Sequence, residues 1–137
     1  MKIITILPGF DRGSYAWLND DYDGGRLSYC IADAINGFRH VDFKVSRELE
    51  QGFASWMVPL GLNEHVNPGF SWKEYHREGI AFTRRLKAEI STRTRVLYLR
   101  PSADPDNASE RYVEFLNNGS MIYVTSPQRR WRPHGPC

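Results

Sequence analysis

Asp42 and Lys44 flank Phe43 in the run His40–Val45, where Val41, Phe43 and Val45 alternate with polar residues. On a strand this spacing puts the carboxylate and the ammonium on one exposed side. Metal-dependent nucleases use such a pair, the acid holding Mg²⁺ and the lysine polarising water or phosphate. The chemistry requires a second carboxylate, and Asp11 and Asp33 are the candidates. A half-exposed strand with alternating charges explains the same residues without chemistry. A second pattern, Asn19-Asp20-Asp21-Tyr22-Asp23-Gly24, has the alternating oxygens and the glycine that open a calcium loop. Its twelfth position, where a bidentate Glu belongs, is Cys30, so the plainer reading is an acidic turn preceding a helix.

The four histidines, His40, His65, His76 and His134, form no pair at the i, i+4 spacing of a helical zinc site. His76 lies at the rim of an apolar helical face and reads as a packed side chain. No glycine-rich segment has phosphate-binding form, and no Ser-His-Asp or Cys-His grouping is supported locally. The sequence therefore carries no catalytic signature and implies no metal and no cofactor. Two cysteines make no framework, and Cys30, in an apolar context, reads as a buried thiol.

These side chains must be positioned by a small fold. A chain of 137 residues with 41% hydrophobic and 25% charged residues fits one globular domain. Its organising stretch is Ser71–Arg100. Ser71-Trp72-Lys73-Glu74 has capping-box form, and Trp72, Tyr75, Gly79, Phe82, Leu86 and Ile90 recur at helical steps. Arg95–Arg100 then reads as a strand stopped by Pro101. Lys2–Leu7 reads as a first strand, Arg26–Asn36 as a helix and His40–Val45 as a second strand. Ser46 caps a helix to about Val58. A short helical turn fits around Ser14–Leu18. Asn118-Gly119 predicts a two-residue hairpin between Arg111–Leu116 and Met121–Thr125, with Phe115 facing Ile122 and Val113 facing Val124.

The expectation is one α+β domain over residues 1–126, in the order β-α-β-α-α-β-β-β. Its sheet is mixed, mostly antiparallel and about five-stranded, with helices on one face and a C-terminal β-hairpin. Residues 127–137 read as a basic Pro/Arg tail, extended or disordered. The N-terminus has no signal-peptide form and no run is long enough to span a membrane, so the expected compartment is the cytoplasm.

Net charge is only +2, but its distribution is uneven. Lys73, Arg77, Arg84 and Lys87 fall along one helix flank and lead toward Arg93, Arg95 and Arg100. Tyr98, Tyr112 and Tyr123 would lie on an exposed sheet face near them. Tyrosine and arginine suit interfaces, and the leading expectation is a non-enzymatic cytosolic protein that binds another protein, as an inhibitor, adaptor or immunity-type factor would. The alternatives are nucleic-acid binding through the basic flank and tail, and a nuclease using Asp42 and Lys44. No membrane partner is implied, and the sequence leaves oligomeric state open.

Overall fold

In a computed structural model, the chain is described over residues 2–9, 13–19, 27–62, 69–100, 104, 111–125 and 132–134. The centre is β1 (Ile3–Ile6), whose four residues are all buried, as a strand covered on both faces requires. It pairs antiparallel with β2 (Ser14–Asn19) on one side and parallel with β5 (Arg95–Leu99) on the other. Beyond β2 lie β3 (Leu27–Asp33) and the short β4 (Gly37–Phe38). Beyond β5 lie β6 (Arg111–Phe115) and β7 (Met121–Thr125). The order β4-β3-β2-β1-β5-β6-β7 makes an open mixed sheet of seven strands, not about five, and β8 (Arg132–His134) pairs with β3 off that path. Thus part of the expected tail, Arg132–His134, is a strand.

The sheet is larger than expected because two stretches with helix-like spacing became strands. Arg26–Asn36 was expected as a helix on Leu27, Cys30, Ile31, Ala34 and Ile35. It is instead β3 followed by a turn, and Ser14–Asn19 is a buried strand rather than a helical turn. Short apolar runs do not separate the two periods, and pairing between β2 and β3 decided the matter. Conversely, the strand expected over His40–Val45 is absent: Val41 and Asp42 form a turn and residues 43–46 carry no ladder.

α1 (Arg47–Leu62) and α2 (Trp72–Glu89) pack on the face that presents Ile4, Ile6, Val96, Tyr98, Val113 and Phe115. Ser46 caps α1 through Leu49 N, and the helix runs through Pro59 rather than ending at Val58. Ser71 caps α2 by accepting from Glu74 N, as expected, while the Glu74 carboxylate turns to Arg77. The buried stripe of α2 is Tyr75, His76, Gly79, Thr83, Leu86 and Lys87. Trp72, Phe82 and Ile90 are only partly buried at its margin. Between the helices Trp56 stacks on Tyr75 at 4.6 Å, and its indole N–H donates to Tyr75 O at 2.9 Å. Phe53 stacks on Tyr15 at 4.7 Å, tying α1 to β2. The opposite sheet face carries a smaller cluster of Ile3 and Leu97 with Leu99 against it.

The hairpin differs from expectation by one residue. Leu116 N donates to Ser120 O and Gly119 N to Leu116 O, and Gly119 has a positive φ, +87°. This is a three-residue Asn117-Asn118-Gly119 loop with a bulge at the glycine, not a two-residue turn. Phe115 therefore faces Met121, and Val113 faces Tyr123. A one-residue slip moves every β7 side chain to the other face. Met121 and Tyr123, not Ile122, share the helix side.

Cys30 is disulfide-bonded rather than a buried thiol, and no described cysteine is free. The other cysteine of the chain is Cys137, outside the described residues. Among the described residues no helix is long and apolar enough to cross a membrane.

Asp33 closes the β3–β4 turn by accepting from Ile35 N and Asn36 N, both at 2.8 Å, and from Asn36 Nδ2 at 3.2 Å. Burial pushes its carboxyl up, but these donors and the Arg39 charge outweigh that and hold it below the usual range. A carboxyl lowered in the folded state stabilises above its unfolded pKa, and the effect is lost as pH falls through the folded value. Asp33→Ala is expected to lose about 2 kcal/mol at neutral pH. In urea melts, the gap to the parent should shrink as pH falls below the ordinary aspartate value of 3.8.

Candidate binding groove

The capping of α2 at Ser71 sets the rotation of the helix. With Tyr75, Gly79 and Leu86 turned to the sheet, Lys73, Arg77, Ile80 and Arg84 lie along its outer flank toward β7. The sheet extends past α2 on this side. Between helix and sheet edge lies a groove of about 640 Å³, lined on α2 by Trp72, Lys73, His76, Arg77, Ile80, Ala81 and Arg84. Arg100 beyond β5, Asp104 and Met121 at the start of β7 complete it. Its lining is mostly apolar, and its rim is basic.

At the inner end sits a buried polar network. His76 Nε2 donates to an Asp104 carboxylate oxygen at 2.5 Å, and His76 Nδ1 meets the Tyr98 hydroxyl at 2.6 Å. With the Nε2 proton given to Asp104, a neutral ring leaves Nδ1 as the acceptor of the Tyr98 O–H. Burial, chiefly, pushes the Tyr98 phenol far above its usual range, so it acts as a donor. Arg100 approaches Asp104 at 3.9 Å, and Trp72 stacks over the imidazole at 5.6 Å. Both ring nitrogens are engaged, Asp104 is 2% exposed, and the Tyr98 hydroxyl is out of reach of solvent. The network ties α2, β5 and Asp104 together at the inner end of the groove.

The rim is differently disposed. Arg77 is ion-paired with Glu74. The Arg84 guanidinium lies 3.9 Å from Met121 Sδ and 6.0 Å from the Phe115 ring centre, so it leans across the groove toward β7. Among the described residues no carboxylate pairs with Lys73 or Arg84.

Of the residues expected to bind, Lys73, Arg77, Arg84 and Arg100 are brought together here. Lys87 is not: it is buried, and its ammonium donates to Thr94 O at 2.6 Å, with burial pulling its pKa down. Arg93 is exposed in the turn after α2. Arg95 is on the opposite sheet face, bound to both Glu114 carboxylate oxygens at 2.8 and 2.7 Å. Tyr98 is buried under α2 rather than presented to solvent, because Tyr98 and Leu97 alternate and Tyr98 takes the helix side. Tyr123 is 68% exposed, and the Tyr112 side chain lies outside the described residues.

The nuclease pair is also rearranged. Asp42, in a turn, is ion-paired with Lys2, which draws its carboxyl below the usual range. Lys44 is exposed. Asp33, one candidate second carboxylate, is committed to turn amides, and Asp11 is outside the described residues. In the calcium-like pattern, Asn19 is a buried β2 residue and positions 20–24 are not described. Among the described residues no three His, Cys, Asp or Glu side chains gather as a metal site.

Sequence reasoning missed Trp72, Met121, Asp104 and the His76 bonds as parts of one site. Asp104 is 28 positions from His76 and Met121 is 37 from Arg84, so no local pattern announces either. No protein-family model, no curated protein and no solved structure matches this chain.

Proposed function

We propose that this is a binding protein whose groove between α2 and β7 receives an acidic segment of a partner protein. The observation that supports the reading most is the convergence of Lys73, Arg77, Arg84 and Arg100 on one mostly apolar groove. Its volume and lining suit a few side chains of mixed character, with cations fixing the acids at the rim. A polyanion is a poorer fit. The net charge is only +2, and two further cations expected to extend the strip, Lys87 and Arg95, are buried or paired elsewhere. The Cys30 disulfide favours an oxidising compartment for this role over the cytoplasm.

The test is fluorescence anisotropy with a labelled decapeptide of alternating Glu and Val, against the Lys–Val counterpart and an oligothymidylate of similar length. The acidic peptide should bind and the basic one should not. The double variant Lys73→Glu/Arg84→Glu should weaken binding about 30-fold, roughly 2 kcal/mol. Tighter binding of oligothymidylate, with a steep fall in salt, would move the partner to nucleic acid. No binding of the acidic peptide would end the reading.

A further inference from the structure

The far wall of the groove is the last strand of the sheet, and its edge has a definite polarity. Leu116 N donates to Ser120 O at 2.8 Å, so Leu116 and Ser120 form a hydrogen-bonded pair where the hairpin closes. In an antiparallel ladder such pairs alternate with non-bonded ones. Phe115–Met121 and Val113–Tyr123 are therefore non-bonded pairs, and Glu114–Ile122 is bonded. The consequence is that Met121 and Tyr123 aim their backbone N–H and C=O away from β6. Among the described residues no strand lies beyond β7 to receive them.

The side chains say which face such a strand would complete. Met121 and Tyr123 stand on the α2 side, 41% and 68% exposed, and Ile122 stands on the other side at 43%. Arg84 crosses from α2 to touch Met121. A strand laid along β7 would place alternate side chains beside Met121 and Tyr123, within reach of Arg84 and the other groove cations. Its remaining side chains would extend the surface of Ile122.

We propose that the partner binds by strand addition: an extended segment with acids at alternate positions hydrogen-bonds to the outer edge of β7 through Met121 and Tyr123, its acids meeting the basic groove. Backbone bonds supply affinity and the alternate side chains supply selectivity. Charge argues against a second copy of this chain as the occupant, since pairing β7 with its twofold mate would bring Arg84 and its equivalent to the same seam. An edge that no described strand pairs with is otherwise a route to aggregation, and the nearby cations restrict it to an acidic strand.

This inference rests on the acidic-segment reading above, and one experiment separates their failures. Tyr123→Pro removes an edge N–H while leaving the β6 ladder intact, because proline is tolerated where the N–H faces outward. Tyr123→Ala removes the ring and keeps the N–H. With the alternating Glu–Val decapeptide, Tyr123→Pro should bind at least ten-fold more weakly than Tyr123→Ala. A second arm uses the parent protein and two peptides, N-methylated on one or the other alternate set of amides. One set should abolish binding and the other should spare it. Equal affinity of the two methylated peptides, or of the proline and alanine variants, would overturn strand addition while leaving the groove reading standing. Failure of the unmodified peptide to bind the parent would overturn both.

Discussion

Gly79→Ala is expected to destabilise the fold by about 3 kcal/mol, near 10 °C in melting temperature for a chain of this size. A Cβ at this position would sit 2.7 Å from Tyr98 Cε2 and closer still to the Trp56 indole. Neither neighbour is free to yield. Trp56 is buried, stacked on Tyr75 and bonded to its carbonyl. Tyr98 is buried in β5 and tied to His76. Alanine would gain about 1 kcal/mol of helix propensity over glycine, so the steric cost must be about 4 kcal/mol, and α2 must lift from both α1 and the sheet. Gly119→Ala separates crowding from conformation. Nothing lies within 4 Å of its Cβ, yet φ is +87°, so its cost should be only about 1 kcal/mol. Guanidinium melts of the two variants should rank them in this order. A stability loss at Gly79 no larger than at Gly119 would mean that α2 is not seated on Trp56 and Tyr98 as described.

The same helix shows where sequence was informative and where it was not. Ser71 as cap and the spacing of Tyr75, Gly79 and Leu86 are local signals, encoded within a few residues, and they placed α2 and its inward face. β5 and the existence of the β6–β7 hairpin were local as well. Strands β2 and β3 were not, because Ser14–Asn19 is buried along its whole length and loses the alternation that marks a half-exposed strand. The hairpin register failed over one residue: Asn118-Gly119 suits a two-residue turn, but Leu116 pairs with Ser120 and Asn117 joins the loop. That slip hid the groove, since it assigned Met121 and Tyr123 to the side away from α2. Lys87 was misjudged for a related reason. Its long stem lies against the core while its ammonium reaches Thr94 O, and a helical wheel reads such a residue as exposed. Asp104 was beyond any local rule, because its role depends on a contact with His76, 28 positions away.

Asp104→Ala should cost about 3 kcal/mol, although the residue belongs to no regular element. The carboxylate is 2% exposed and is the acceptor for His76 Nε2, with Arg100 at 3.9 Å. Its removal takes that acceptor from a buried donor and a counter-charge from the guanidinium, and desolvation of polar groups is not recovered when one partner is deleted. Tyr98→Phe removes only a neutral hydroxyl from the other end of the network and should cost about 1 kcal/mol. The double variant His76→Phe/Asp104→Leu, which removes both polar partners together, should be less destabilised than the sum of the two single changes, because the costs are shared. Chemical denaturation of the parent, His76→Phe, Asp104→Leu and the double variant gives the coupling directly. Strict additivity would show that the 2.5 Å contact does not couple Asp104 to α2. The groove supplies a second readout: measured well below its melting temperature, Asp104→Ala should bind the acidic decapeptide a few-fold more tightly, since it removes a negative charge that lies 3.9 Å from Arg100 in the lining. An unchanged or weakened affinity, with the fold retained, would mean that Asp104 holds Arg100 in its binding position, and the network would then be a support of the site rather than a competitor for its charge.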